Sequence, residues 1–181
     1  MAAHTSHKHD LFPRFDMETF LALSNEGRLD GAAMRKIMQQ WEAWQAHAHA
    51  CTIGVQGASY ALAWLTQEVE RETEDAWRAS PSEGFLLNVL AQMLVMELIA
   101  ELSPETAEFG CAPAPFLDAA LCAALAAEGV AYTEAGLSRR YAVLTAIPFV
   151  GGCEVCRLEP DCPKRRSVET NTVVLSGSSR E

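Results

Sequence analysis

The 181-residue sequence predicts an all-α domain, and three observations carry that expectation. Apolar residues recur at spacings of three and four, helix-start signatures stand at several points, and no alternating strand series or internal repeat is visible. The expected architecture is a compact helical domain with a central buried helix, a C-terminal cysteine-rich loop and a flexible tail. Residues 1–13 read as a flexible arm containing His4, His7 and His9, 14–150 as the helical domain, 151–163 as a cysteine loop for a metal or cluster, and 164–181 as a polar tail.

Taken in order, a first helix is expected from about Phe15 to Ser24, where Phe20, Leu21 and Leu23 supply apolar contacts and Asn25-Glu26-Gly27 ends it. Asp30 is a good N-cap for a second helix through Met34, Ile37, Met38, Trp41 and Trp44. A third helix fits Val55 to Ala79, apolar at first and acidic from Glu68 to Asp75. Ser80-Pro81-Ser82-Glu83 is the clearest start signal, with a capping Ser, a first-turn Pro and a Glu three residues beyond the cap. The helix it opens, to Leu102, is apolar nearly all round, as a central helix should be. Ser103-Pro104-Glu105 starts one short turn stopped by Gly110. Pro113 and Pro115 introduce a helix from Phe116 to Glu128, which Gly129 stops. Tyr132 to Leu144 reads as a last helix, and Ile147 to Gly152 as a breaker-rich lead into the cysteines. Beyond Pro163 follow Lys164-Arg165-Arg166 and then Thr172-Val173-Val174-Leu175, an edge strand at most.

Composition narrows the function. A hydrophobic share of 49% with 21% charged residues is that of a folded domain, and a net charge of −10 weighs against general nucleic-acid binding. The polar N-terminus has no apolar targeting core. The stretch from Phe85 to Leu102 is interrupted by Asn88, Gln92, Glu97 and Glu101, which suits a buried helix better than a membrane span. A cytoplasmic protein is expected, with a protein partner and neither nucleic acid nor membrane. In a reducing compartment, six cysteines read as buried thiols or metal ligands, not disulfides.

Cys153-Glu154-Val155-Cys156 followed by Cys162-Pro163 reads C-x2-C-x5-C-P. A C-x2-C turn lets two thiolates face one centre, a third Cys after a short loop closes much of the shell, and Gly151 and Gly152 allow backbone to approach a bulky cofactor. A complete shell needs a fourth ligand. Cys111, in a loop between Gly110 and Pro113, is the first choice; Cys51 and Cys122 are the others. The spacing resembles the clustered ligands of several [4Fe–4S] families: oxygen-sensing regulators of the FNR type, WhiB-type proteins and endonuclease III-type glycosylases. It is also similar to the C-terminal motif of NifQ-type molybdenum donors. The resemblance spans about ten residues and implies a cluster without choosing a family. This chain has Ala146 and Pro148 where the glycosylase and NifQ-type motifs have a further Cys.

Other features read as ordinary structure. His47 and Cys51 can share a helix face, the acidic run suits a wet helix face, and Trp41, Trp44, Met34 and Met38 suit a core. No Walker loop, G-x-G-x-x-G, G-x-S-x-G or H-E-x-x-H is present, so no independent catalytic activity can be named. The expected function is an iron–sulfur accessory protein, 4Fe–4S in preference to 2Fe–2S, for electron transfer, redox sensing or metallocofactor assembly. The alternative is a helical interaction module with a structural zinc.

Overall fold

Between two Ala-, Val- and Ile-containing runs stands Gln56-Gly57, and both residues have positive φ, 51° and 85°. That is the geometry of a two-residue hairpin turn whose twist matches its flanking strands. Here it joins β2 (Ala48–Val55) to β3 (Ala58–Leu65), paired antiparallel from Val55↔Ala58 to Ala48↔Leu65. The computed structural model describes residues 4–134 and 136–162 and shows a mixed α/β fold. The all-α expectation is corrected: a four-stranded antiparallel sheet runs in the order β1 (His4–His9), β2, β3, β6 (Ala142–Ile147), and a small hairpin pairs β4 (Tyr132–Thr133) with β5 (Gly136–Leu137).

The physical reason lies in what covers the sheet. Ala61, Leu62, Ala63, Trp64 and Leu65 are all buried, because helices lie on both faces. Ala50, Ala61, Ala63 and Leu65 join one core with the central helix, while Cys51, Ile53, Val55, Leu62, Trp64 and Leu144 join a second core with Leu121, Ala124 and Leu125. A strand buried on both faces loses its alternation and cannot be told from a buried helix by periodicity. Hence the helix expected from Val55 to Ala79 is β3 followed by α3 (Gln67–Ala79), and the helix expected from Tyr132 to Leu144 is β4, β5 and the start of β6. Residues 4–9, expected in an arm, pair with β2 from His4↔Val55 to His9↔Ala50.

The remaining helices follow their local signals. Asp16 and Asp30 cap α1 (Met17–Ser24) and α2 (Gly31–Gln45) through their carboxylates. Ser80 caps α4 (Pro81–Leu102), accepting from the Glu83 N–H at 3.4 Å. α5 (Glu105–Phe109) ends at Gly110 in the left-handed region, and α6 (Ala119–Ala127) is capped by Asp118 and followed by Gly129 at φ 78°. α4 has the length and apolarity of a membrane span. In this fold Leu90, Leu94, Leu98 and Ile99 are buried against α1, α2, α3 and the sheet. Trp41 donates to the Pro13 carbonyl at 3.2 Å and Trp44 to Glu72 at 2.6 Å, so the indoles serve the core with their polar edges satisfied. The basic triplet and the Thr172–Leu175 run lie outside the described residues.

Candidate functional site

At the β6 edge of the sheet, the chain from Gly110 to Leu117 shares one cavity with Met96 of α4 and Val143 of β6. It is pinned by two bonds to its carbonyls: the Thr145 hydroxyl donates to Pro113 at 3.0 Å and the Arg157 N–H to Ala114 at 2.8 Å. The β4–β5 hairpin and the 157–158 turn stand around the same space. They enclose a half-open cavity of about 680 Å³. Its wall is aliphatic at Met96, Leu117, Leu137, Val143 and Leu144, and its charges are Arg139, Arg140 and Arg157. Among the described residues, no Asp or Glu lines it. In a chain of net charge −10, that is a local reversal of sign.

The three arginines differ. The Arg140 side chain donates to Asn88 at 3.2 Å, lies over the Tyr141 ring at 5.4 Å and belongs to a small network in which the Tyr141 hydroxyl also donates to Asn88. Arg157 lies over the Tyr132 ring, 5.1 Å from its centre. The Nε atoms of Arg139 and Arg157 are shut off from solvent and have no hydrogen-bond partner among the described residues. Among the described residues, ion pairs join Arg71 to Glu68 and Arg78 to Glu74 and Asp75, so these are not the arginines of the cavity. A buried N–H of a charged group left without an acceptor costs on the order of 1–3 kcal/mol or more.

The cysteines are placed differently from the sequence expectation. Cys153 opens a short 3-10 turn (Cys153–Val155) and is exposed; Cys156 and Cys162 are half-buried, the latter after a second turn (Glu159–Asp161). The Cys156 N–H closes the first turn onto the Cys153 carbonyl at 3.0 Å. Cys111 lines the cavity, as do Arg157 and Leu158 from the cysteine loop. Among the described residues, however, no three His, Cys, Asp or Glu side chains are gathered where a metal ion could join them. The metal-binding character read from the triplet is corrected accordingly, and with it the iron–sulfur, redox and cofactor-assembly description. The three cysteines stand on or beside two successive tight turns.

Cys51 is fully buried between β2 and α6, and burial pushes its thiol up to about 11, so it stays protonated at neutral pH as a core side chain. Cys122 is half-buried on α6. His47 and Cys51 do not share a helix face, since Cys51 lies in a strand; His47 instead contacts the Thr66 hydroxyl at 3.1 Å. The acidic run is used structurally: Glu72 accepts from Gln40 and Trp44, and Glu70 from the Arg140 N–H.

Sequence reasoning missed Arg139, Arg140, Arg157 and Tyr132. The available signal was the Arg139-Arg140 pair in an acidic chain, within a segment read as helix. No protein-family model, curated protein or solved structure matches this chain.

Proposed function

We propose that this protein binds a small organic anion in the arginine-lined cavity. The observation that carries the reading is the cavity itself: about 680 Å³, three arginines and, among the described residues, no carboxylate in its wall. Its size suits a small molecule, and a mostly apolar wall with a few placed polar groups is the usual construction of such sites. Guanidinium groups present a fixed fork of donors that matches a carboxylate or phosphate. Arg140 is held by Asn88 and Tyr141 and supplies background charge; Arg139 and Arg157 are the groups assigned to the ligand.

The test is a fluorescence titration with anilinonaphthalene sulfonate, an anion with an apolar body, beside its neutral relative phenylnaphthylamine. Saturable binding of one anion per chain is expected. Arg139→Gln and Arg157→Gln should each weaken it about tenfold or more, a loss of roughly 1.4 kcal/mol, with the neutral probe little affected. Arg78→Gln, on the exposed face of α3, should change nothing. Equal affinity for the anion in wild type and both cavity variants would overturn the proposal.

A further inference from the structure

We infer that the anion is an aliphatic amphiphile, a carboxylate carrying an unbranched chain, and this rests on the anion-binding reading of the cavity. The wall and the mouth both support it. Apart from the arginines, the large side chains in the wall are Met96, Leu117, Leu137, Val143, Leu144 and Leu158, and among the described residues Tyr132 is its one aromatic ring. The Arg157 guanidinium already occupies one face of that ring, 5.1 Å from its centre. Small residues, among them Ala112, Ala114 and Ala142, fill the remainder and leave length and width without polar partners. An inorganic anion would satisfy the guanidinium groups but leave this aliphatic surface wet, whereas a chain behind the carboxylate would dry it.

The surface next to the cavity is apolar as well. Leu158 lines the cavity yet is 50% exposed, and Phe116, between the lining residues Pro115 and Leu117, is 69% exposed. Phe109, which immediately precedes the lining residue Gly110, is also exposed and meets Phe149 edge-on at 5.6 Å. Large apolar side chains exposed singly need no explanation, but several beside one cavity extend its apolar surface outward. A chain longer than the cavity has somewhere to lie. The charged head sits against Arg139 and Arg157, the first part of the chain against the aliphatic wall, and the end of a longer chain across Phe116 and Leu158.

Displacement of bound anilinonaphthalene sulfonate by octanoate, dodecanoate, dodecanol, benzoate and inorganic phosphate tests this, each used below its self-association limit. Dodecanoate should compete at least about tenfold better than octanoate, because each added buried methylene favours binding, and octanoate better than benzoate or phosphate. Arg139→Gln should weaken dodecanoate but not dodecanol. Phe116→Ser, a change at an exposed position, should weaken dodecanoate and leave octanoate unchanged. If benzoate or phosphate competes as well as dodecanoate and depends on Arg139, the anion reading stands and the amphiphile is wrong. If chain length matters but Arg139→Gln and Arg157→Gln do not, both are wrong.

Discussion

Gly84, in the first turn of α4, sets how closely α3 can approach. A Cβ at this position would come within 2.5 Å of the Trp77 ring and 2.6 Å of the Trp77 Cα, so the side chain that is missing makes room for backbone as well as for indole. On propensity alone Gly84→Ala would stabilise a helix by up to about 1 kcal/mol. Here overpacking wins, and a net loss of about 1–3 kcal/mol is expected, read as a lower urea midpoint. His49 makes a different residue-scale prediction. Its ring stacks on Trp64 at 5.2 Å, and partial loss of hydration there first, then the nearby Lys8 and His47 charges, lower its affinity for a proton below the ordinary value of 6.5. The unfolded chain therefore takes up a proton at His49 before the folded one does. Stability from this group is present above pH 6.5 and is lost as pH falls towards the lower folded value. Thermal melts between pH 7.5 and about 5.5 should show His49→Gln with a shallower decline than wild type; identical slopes would assign the pH dependence to other groups.

At the scale of elements, the helix ends were legible and the strands were not. Asp30, Ser80, Gly110 and Gly129 mark helix ends by interactions that reach only a few residues along the chain, so a sequence displays them in full. Strands β2 and β3 depend on what lies above and below them. With α4 on one face and α6 on the other, Ala61 to Leu65 became continuously buried, and the polar alternation that would announce a strand was absent. β1 was invisible for the opposite reason: His4–His9 is polar and almost wholly exposed, and pairing with β2, not an apolar pattern, makes it a strand. The Gln56-Gly57 turn was the overlooked local sign. Gly57 sits at φ 85°, so Gly57→Ala should cost about 1–2 kcal/mol, whereas Gln56→Asn, a residue better suited to positive φ, should raise the melting temperature slightly. Asp118 holds the Leu121 N–H at 2.7 Å at the start of α6, against 3.4 Å for the Ser80 bond. Asp118→Ala should accordingly cost about 1 kcal/mol, and more than Ser80→Ala in the same denaturation experiment.

For the whole molecule, the same dependence on distant contacts explains why the cysteine pattern could be seen and the cavity could not. C-x2-C-x5-C lies within ten consecutive residues, whereas the cavity draws Met96 from α4, Leu117 from a loop, Val143 from β6 and Arg157 from a turn. Only the sheet brings those segments together, so a reading without the sheet could not assemble them. The outer strand β1 tests that architecture directly. If residues 1–9 were an arm, their removal would leave stability untouched. In the observed fold, removal exposes the N–H and C=O groups along one side of β2, from Ala50 to Val55, and takes away Lys8 and His9 from a smaller hollow beside Trp64. An uncovered strand edge is a template for pairing with another chain. A chain starting at Asp10 should therefore melt at lower temperature than the full-length protein and associate as its concentration rises, measured by sedimentation velocity. Its cavity lies past β6, on the other side of the sheet from β1, so it should still bind anilinonaphthalene sulfonate at low concentration. Unchanged melting and a monomer at every concentration would show that β1 contributes nothing to the sheet; loss of anion binding with an intact fold would show that the cavity depends on the far edge.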